Sequence, residues 1–325
     1  MPNENDICIT IDLGGTKMRV ALINRAGVLL AREDSLTGAD QGREQTLERL
    51  TKIITQLIPY TEGRKLVGIG ASVAGSIDPY TAIMHNANNL PGWDGFSLKP
   101  MLEETFRIPV WALNDATLGA IGEHVYGIGK GLQNLIYVTV STGIGGGIII
   151  NGNPIIGHRG SAGEIGHMSI DRNGPVCKCG NVGCLETLAS GTAIANRAIE
   201  GLGQGQKSML QDIVNGDLSK ITAAMVMRTA SQFDSFAMEL VDQFAKNLAI
   251  GLVNLLHIFD PQIIILGGGV SQSYSIYSAV LSKAMHTNTM PHLREHINVV
   301  PSVLGDDVSL LGAASLAFQR AERGE

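Results

Sequence analysis

The chain has 325 residues, about twice the size of a typical domain, so the sequence predicts two lobes. Hydrophobic residues make up 44% and charged residues 17%, which excludes a disordered chain, a coiled coil and a small disulfide-rich protein. The formal net charge is -6 and no basic patch is visible, so nucleic acid is not an expected partner. Glycine is in excess, with 40 residues against a typical share of about 7%, and the positions of these glycines therefore guide the search for function.

The N-terminus does not have the pattern of an export signal. Residues 1–6 are polar and acidic, without the basic and apolar regions of a signal peptide. The longest apolar run, 248–259, contains Asn254 and His257 and is shorter than the ~18 residues that a membrane helix needs. The sequence predicts a cytoplasmic protein with no membrane contact.

The first part of the chain predicts an α/β lobe that opens with a β-meander. Its strands are expected over 7–13, 18–23 and 27–31, separated by short turns rich in Gly and Asn. Leu and Ile residues at helical spacing predict a helix over 45–57. The next elements in chain order are a buried strand over 65–72, a loop-rich segment over 78–95, a short strand over 110–113 and a helix over 116–126.

The second part begins with a similar unit. VTVSTGIGGGIII (138–150) repeats the strand, glycine turn and returning strand of IDLGGTKMRVALI (11–23), which suggests two lobes of related topology. A loop-rich segment follows over 151–186. The remaining predicted elements are an apolar helix over 241–259, a strand over 262–266, a helix over 274–285, a strand over 297–303 and a helix over 310–319.

Three glycine-rich turns have the composition of nucleotide-binding loops. In DLGGTK (12–17), backbone N–H groups, a hydroxyl and an ammonium can wrap an anion, and Asp12 can hold a cation. An ordinary hairpin turn is the simpler explanation of a glycine pair alone. A strand follows this loop, so it is neither a Walker nor a Rossmann motif. Because STGIGGG (141–147) and LGGGVS (266–271) repeat the chemistry, the three loops together predict a nucleotide clamped between lobes.

A cluster of sulfur and nitrogen ligands follows the second loop. His167, Cys177, Cys179 and Cys184 form an H-x9-C-x-C-x4-C pattern. Zinc takes four such ligands in a tetrahedron, and four protein ligands leave no open position for a catalytic role. Three buried thiols with a core histidine are the alternative, but the intervening Gly, Asn, Lys and Asp residues are typical of a loop. The pattern predicts a structural zinc that fixes this loop.

Several carboxylates and amides admit two interpretations. Asn114 and Asp115 open a helix, where both types favour the N-cap, but an Asp at this strand end can also act as a general base on a substrate hydroxyl. Glu164 and Glu186 flank the metal segment, either as solvated surface carboxylates or as acceptors for sugar hydroxyls. Asn89 lies in NNLPGW (88–93), a Pro/Gly loop that could cover the same site.

These motifs occur in the order and spacing of the ROK (repressor, ORF, kinase) family, which the chain resembles over essentially its whole length. EIGH (164–167) and CKCGNVGCLE (177–186) are the most specific elements, and the chain is also similar to the N-acetylmannosamine kinase domain of sialic acid synthesis. The resemblance implies an α/β, actin-like ATPase (ribonuclease H-like) fold, with two α/β lobes and an interlobe cleft. The small lobe would comprise 1–113 plus about 310–325. The large lobe, 114–309, would carry the zinc loop and the adenosine site.

The resemblance also implies roles for individual residues, with Asp115 as the catalytic base. Sugar contacts are implied for Gly75, Asn89, Asn114, Asp115, Glu164, His167 and Glu186. ATP contacts are implied for Asp12, Gly14, Gly15, Thr16, Lys17, Thr142, Gly143, Gly268 and Gly269. Asp12 would hold Mg²⁺. His167, Cys177, Cys179 and Cys184 would hold structural Zn²⁺, with the second ring nitrogen of His167 directed at the sugar.

The expected activity is transfer of phosphate from ATP to the 6-hydroxyl of a hexose, as in a bacterial glucokinase acting on D-glucose. An N-acetylhexosamine kinase and a non-catalytic sugar sensor are the alternatives. Ser76 stands where sialic-acid kinases carry Arg, which weakens the N-acetylmannosamine alternative; Ala74 and Ser141 replace the commoner Pro and Gly. Only 11 residues precede Asp12, so no winged helix is expected, whereas a homodimer or homotetramer is.

Overall fold

The structure, a computed structural model, describes residues 5–85, 87 and 90–325. It contains two compact units. The first comprises Met1–Gln133, Gly147–Gly163 and Val303–Glu325, and the second comprises Asn134–Gly146 and Glu164–Ser302. The predicted α/β class is confirmed, because both units combine helices with β-strands. Among the helices in these described ranges, none has both the length and the hydrophobicity to cross a bilayer.

The strands in the described part of the chain form two five-stranded sheets and one hairpin. They are β1 (Asp6–Leu13), β2 (Lys17–Asn24), β3 (Leu29–Leu36), β4 (Lys65–Val73), β5 (Ser76–Ile77), β6 (Met84–His85), β7 (Val110–Asn114), β8 (Leu135–Val140), β9 (Ile144–Ile150), β10 (Asn153–Pro154), β11 (Ile263–Gly267) and β12 (Val299–Pro301). The orders are β3-β2-β1-β4-β7 in the first sheet and β10-β9-β8-β11-β12 in the second, and β5 pairs with β6.

The α-helices of the described chain are distributed over both units. They are α1 (Arg43–Leu57), α2 (Leu98–Phe106), α3 (Asp115–Val125), α4 (Leu185–Ala189), α5 (Gly191–Gly203), α6 (Leu210–Ile213), α7 (Ala223–Ala230), α8 (Ser235–Phe259), α9 (Tyr274–Asn288) and α10 (Val308–Arg323). Short 3-10 turns connect several of them, including Ile165–His167 and Gly305–Asp307.

The first sheet begins with the predicted meander, because β1 pairs antiparallel with β2 and β2 with β3. β4 and β7 extend it in parallel. Alternate residues of β1 face opposite layers. Ile9 and its odd-numbered neighbours pack in a buried core with Leu50 of α1 and Leu102 of α2. On the other face, the fully buried thiol of Cys8 lies 4.0 Å from the carbonyl oxygen of Ala314 in α10.

Helix α10 approaches its neighbours so closely that side chains are absent at the contacts. A Cβ on Gly312 would overlap the carbonyl oxygen of Leu118 in α3, and one on Gly70 would overlap that of Ala313. This backbone contact binds α3 into the first unit. The first unit therefore extends beyond residue 113, the end of the small lobe expected from the sequence, and includes α3 and Gly147–Gly163.

The second unit is built around β8, β11 and β12, and β11 runs parallel to both of its neighbours. The long helix α8 packs against α9, where the rings of Phe244 and Tyr277 meet edge to face with centroids 5.0 Å apart. Helix α8 begins at Ser235, earlier than the expected residue 241, because the Asp234 side chain accepts a hydrogen bond from the backbone N–H of Ala237 and caps the helix.

Candidate functional site

The parallel strands of the first sheet bring several predicted site residues to one edge. Asp12 of β1 is paired with Ser72 of β4, and Val73 of β4 is paired with Asn114 of β7. All three strands end here, since parallel strands share the edge at which their carboxyl ends lie. Gly75, two residues beyond β4, follows the same edge.

Asn114 and Asp115 occupy different positions at the start of α3. Asn114 is the N-cap of α3, because its Oδ1 accepts hydrogen bonds from the backbone N–H groups of Ala116 at 3.0 Å and Thr117 at 3.3 Å. Its Nδ2 donates to the carbonyl oxygen of Gly75 at 3.0 Å. Asp115 is the first residue of the helix, and its Oδ1 accepts from the Ala116 N–H at 2.8 Å. The cap is therefore supplied by Asn114, and Asp115 places a half-buried carboxylate at the positive end of α3.

The DLGGTK turn is held by a residue that the sequence did not single out. Inside the turn, the Gly14 N–H donates to the carbonyl oxygen of Lys17 at 3.0 Å. The fully buried Thr37 holds it from outside: its N–H donates to the carbonyl oxygen of Thr16 at 2.9 Å and its hydroxyl to that of Gly14 at 2.6 Å. The Thr16 and Lys17 side chains are exposed, so they are accessible to a ligand.

The Asp12 carboxylate is surrounded by groups that act on its charge in opposite directions. Burial raises its pKa, whereas Arg19, whose Nη1 lies 3.4 Å from Asp12 Oδ2, lowers it. The fully buried Ser72 hydroxyl also lowers this pKa, but it makes no well-formed hydrogen bond to any described residue. Arg19 in turn donates to the carbonyl oxygen of Asp306 at 2.8 Å. Arg19 lies opposite Asp12 across the β1–β2 hairpin, whereas Ser72 comes from a distant part of the chain.

In the second unit, the turn between β8 and β9 is fixed from one side by the start of α5. The Ser141 N–H donates to the carbonyl oxygen of Gly143 at 2.9 Å and closes the turn. The Gly191 N–H donates to the carbonyl oxygen of Ser141 at 2.7 Å. The Thr192 hydroxyl donates to that of Thr142 at 2.8 Å. The turn therefore has a defined shape, with the exposed Thr142 at its tip.

Glu186, the second residue of α4, also holds this turn in place. Its Oε2 accepts a 2.9 Å hydrogen bond from the backbone N–H of Ile144, the first residue of β9. The carboxylate lies so close to Gly143 that a Cβ at that position would overlap it. Glu186 was predicted as a sugar contact, and its bond to the turn between β8 and β9 was not expected from the sequence.

A cleft of about 460 Å³ opens beside this turn, within the second unit. It is lined by Ser141, Thr142, Gly191, Thr192, Ala195, Ile221, Thr222, Ala223, Ala224, Met227, Gly269, Val270, Gln272 and Ser273. None of these residues is charged. Thr142 and Gly269, two predicted nucleotide contacts, belong to the lining; Gly143 and Gly268 do not.

The predicted metal ligands converge in the second unit. The ligand atoms of His167, Cys177, Cys179 and Cys184 all lie within 4.8 Å of one another. Cys179 Sγ and Cys184 Sγ are 3.7 Å apart, as are Cys177 Sγ and His167 Nδ1. Zn–S bonds of about 2.3 Å in a tetrahedron place sulfur atoms about 3.8 Å apart. The four side chains therefore fit a zinc ion in both chemistry and spacing.

The backbone around the cluster supports this arrangement. The Cys177 N–H donates to the carbonyl oxygen of Asn181 at 2.7 Å, which folds the loop back on itself. The backbone N–H of Asn181 stabilises the thiolate of Cys179 and lowers its pKa, whereas burial raises the pKa of Cys184 to about 12. His167 presents Nδ1 to the thiols, and its Nε2 lies 3.9 Å from Glu164 Oε2. The ring can therefore serve a metal on one side and a polar ligand on the other.

The predicted residues thus form one group in each unit. The first unit holds Asp12, Gly14, Gly15, Thr16, Lys17, Gly75, Asn114 and Asp115. The second holds Thr142, Gly143, Glu164, His167, Cys177, Cys179, Cys184, Glu186, Gly268 and Gly269. Asn89 lies outside the described residues.

Comparison with known proteins identifies relatives along the whole chain. The sequence profile of the ROK family matches residues 8–320. A glucokinase of Thermotoga maritima is 33% identical over 312 residues, which are 96% of this chain and 97% of that protein. An N-acetylmannosamine kinase of Escherichia fergusonii is 31% identical over 309 residues, 95% of this chain and 97% of the relative. A xylose repressor of Bacillus subtilis is 34% identical over 273 residues, 84% of this chain and 66% of the repressor.

A solved structure confirms the predicted actin-like ATPase fold. The ROK family glucokinase from Streptomyces griseus, crystallised with glucose and AMPPNP, superposes with a TM-score of 0.82. The match covers 96% of this chain and 99% of the other, at 30% sequence identity.

Proposed function

The chain belongs to the ROK family, and from that premise we propose that it is an ATP-dependent hexokinase that phosphorylates the 6-hydroxyl of D-glucose. The observation that carries the proposal is the position of Asp115, a carboxylate at the first turn of α3 whose capping role is already filled by Asn114. A sugar kinase needs an oriented base, whereas a helix start with a complete cap does not need a second carboxylate.

In the proposed reaction, the Asp115 carboxylate accepts the proton of the sugar 6-hydroxyl. The deprotonating oxygen forms a bond to the γ-phosphorus of ATP while the bond from that phosphorus to the β-γ bridging oxygen breaks, and ADP leaves. Asp115 is the first residue of α3, and the N-terminal end of a helix favours negative charge, which suits a carboxylate at this position.

The donor would be held by the glycine loops. Thr16 and Lys17 offer a hydroxyl and an ammonium to the phosphates, and Asp12 would hold Mg²⁺, which neutralises phosphate charge when bound. The uncharged cleft lined by Thr142 and Gly269 suits a nucleoside better than a polyphosphate, because a polyanion calls for cationic side chains along its length.

The sugar would be held by hydroxyl-binding groups from both parts of the sequence. The candidates are Gly75, Asn89, Asn114, Glu164, His167 and Glu186. Nδ1 of His167 faces the thiols, and Nε2 faces Glu164. Nε2 is therefore the ring nitrogen in a polar setting, which supports a role for His167 as a sugar contact. A zinc ion on His167 and the three cysteines would fix the orientation of this ring.

Glucose is proposed over an N-acetylhexosamine because of the NNLPGW segment, Ser76 and the similarity to glucokinases. The test is a coupled assay with glucose, mannose, fructose, N-acetylglucosamine and N-acetylmannosamine, each with ATP or polyphosphate as donor. Glucose with ATP is expected to give the highest kcat/KM. A preference of about tenfold or more for an N-acetylhexosamine would reject the substrate assignment.

A non-catalytic sugar sensor is the second candidate, because a xylose repressor is among the relatives. The Asp115→Asn variant separates the two functions, since an amide oxygen can still accept from the Ala116 N–H but cannot take a proton. We expect turnover to fall by about 10²–10⁴-fold while glucose binding remains measurable by calorimetry. Glucose binding by the wild-type protein without turnover on any sugar of the panel would favour the sensor.

A further inference from the structure

Glu186 connects the metal loop to the turn between β8 and β9. Its half-buried carboxylate accepts from the Ile144 N–H at 2.9 Å and fills the space beside Gly143. We propose that Glu186 is a positioning residue for this turn, through which the metal-bound loop sets the affinity for the nucleotide as well as for the sugar. The proposal rests on the proposed kinase function and deepens it.

The connection begins at a metal ligand. Cys184 is the residue immediately before α4, and Glu186 is the second residue of that helix. The Leu185 N–H donates to the carbonyl oxygen of Met168, next to His167, at 2.8 Å. Leu185 is fully buried, so the start of α4 cannot shift without disturbing both the ligand loop and the core.

The far end of α4 is equally constrained. The carbonyl oxygen of Leu188 accepts from Arg197 Nη1 at 2.8 Å and from Asn247 Nδ2 at 3.1 Å. Burial lowers the pKa of Arg197, as expected for a guanidinium enclosed by the structure. This single helical turn is therefore fixed at both ends, and it carries the Glu186 carboxylate to a defined position.

The chain then returns to the same turn. Gly191 and Thr192, which follow α4, donate to the carbonyl oxygens of Ser141 and Thr142. The turn is thus held by Glu186 on its β9 side and by the start of α5 at its tip. Thr142 is part of the cleft proposed to bind the nucleotide, so a displacement of the turn would change that cleft.

The chemistry of a carboxylate explains why one residue can serve both substrates. A hydrogen bond from an amide to an ionised acceptor is stronger than one to a neutral oxygen. Oε2 is engaged by the Ile144 N–H, and Oε1 is the second acceptor that the same carboxylate would present to a sugar hydroxyl. Because both ligands would act on one side chain, their binding is expected to be coupled, and the coupling is the same in both directions.

The test compares Glu186→Ala with Glu186→Gln by titrating the zinc-loaded protein with AMPPNP and, separately, with glucose in a calorimeter. The alanine variant is expected to weaken AMPPNP binding by about tenfold or more, because a hydrogen bond to a charged group is lost. Glutamine retains an oxygen acceptor for Ile144 and is expected to recover most of the AMPPNP affinity, but not the glucose affinity. Glu164→Gln is the matched control, expected to weaken glucose binding only.

A second measurement does not require a variant. Hydrogen exchange of the Ile144 amide is expected to be slow in the zinc-loaded protein and to accelerate when a chelator removes the metal. Unchanged AMPPNP affinity in both Glu186 variants, or unchanged exchange at Ile144 on chelation, would overturn the coupling. Absence of glucose and AMPPNP binding by the wild-type protein would instead reject the kinase proposal itself.

Discussion

The side-chain amide of Asn114 donates a 3.0 Å hydrogen bond to the carbonyl oxygen of Gly75. The same amide caps α3 through its oxygen, so one residue joins the segment after β4 to the helix that begins with Asp115. The start of the helix that carries Asp115 and the segment that contains Gly75 therefore both depend on the Asn114 side chain.

This dependence is tested by two substitutions of Asn114. Asn114→Ala removes the cap and the donor, and should destabilise the protein by about 1 kcal/mol in urea unfolding. Asn114→Ser keeps an oxygen that can cap the helix, so its stability should stay within a few tenths of a kcal/mol of wild type. Both variants lose the bond to Gly75 and should bind glucose more weakly. Equal destabilisation by serine and alanine would show that the cap is not the source of the effect.

The charge of Asp12 is expected to reduce stability near neutral pH. Burial raises the pKa of Asp12 in the folded protein above its unfolded value of about 3.9, so the folded state binds more protons between these two values. Stability therefore falls as pH rises through this range. Asp12→Asn removes the ionisable group, and its melting temperature should exceed that of wild type near pH 8 but not near pH 4.

Asp34 provides a control, because the charge of its carboxylate is expected to raise stability instead of lowering it. Its carboxylate pairs with Arg32 at 2.6 Å, and this pairing lowers the pKa of Asp34. That contribution is present above the unfolded pKa and is lost as pH falls through the folded pKa, so Asp34→Asn should slightly lower the melting temperature near pH 8 and have a smaller effect in acid. If Asp12→Asn lowered the melting temperature near pH 8, as Asp34→Asn is expected to do, the proposed effect of Asp12 burial would be rejected.

Metal content provides a direct test of the cysteine cluster. Elemental analysis of the purified protein should find about one zinc per chain. Cys184→Ser should lose the metal and lower the melting temperature, because the segment 167–184 is then held by fewer constraints. Cys8→Ala is the control: this thiol is buried away from the cluster, so zinc should be retained. Full activity in a zinc-free preparation of unchanged stability would contradict the structural role.

The close approach of α10 can be tested with one pair of glycines. Gly312→Ala should destabilise the protein by about 1–3 kcal/mol or more, since its Cβ would overlap the carbonyl oxygen of Leu118. Gly203, at the end of α5, has open space around it, and Gly203→Ala should be neutral or stabilising by up to about 1 kcal/mol. Chemical denaturation measures both, and a tolerated alanine at 312 would show that α10 can move away from α3.

Local sequence was sufficient to predict a strand wherever an apolar run ended at a turn residue. The strands expected over 7–13, 18–23 and 65–72 are confirmed as β1, β2 and β4, which differ from these bounds by no more than one residue at either end. β3 extends beyond the expected residue 31, to Leu36. Arg32, Glu33 and Asp34 belong to it because it is the exposed edge strand and its backbone pairs with β2. No hydrophobic pattern marks such residues as a strand.

The chemistry of the candidate site could likewise be predicted from the sequence only within each motif. The metal ligands converge as their spacing indicated. The partners of Asp12 and of the DLGGTK turn, Arg19, Ser72 and Thr37, reach them through strand pairing and long-range folding. Ser72 and Thr37 are far from their partners in sequence, so no local spacing predicts these contacts, whereas Arg19 lies opposite Asp12 across the predicted hairpin.

The position of α10 in the sequence also affects the order in which the two units can fold during synthesis. It covers β1, β4 and α3, yet it is made only after the whole of the second unit. At a translation rate of about 5–20 residues per second, β1 waits on the order of tens of seconds for this partner. The second unit can complete its fold on the ribosome before the first, and a nascent chain that stops short of Val308 would leave the face of β1 that carries Cys8 and Thr10 without its covering helix.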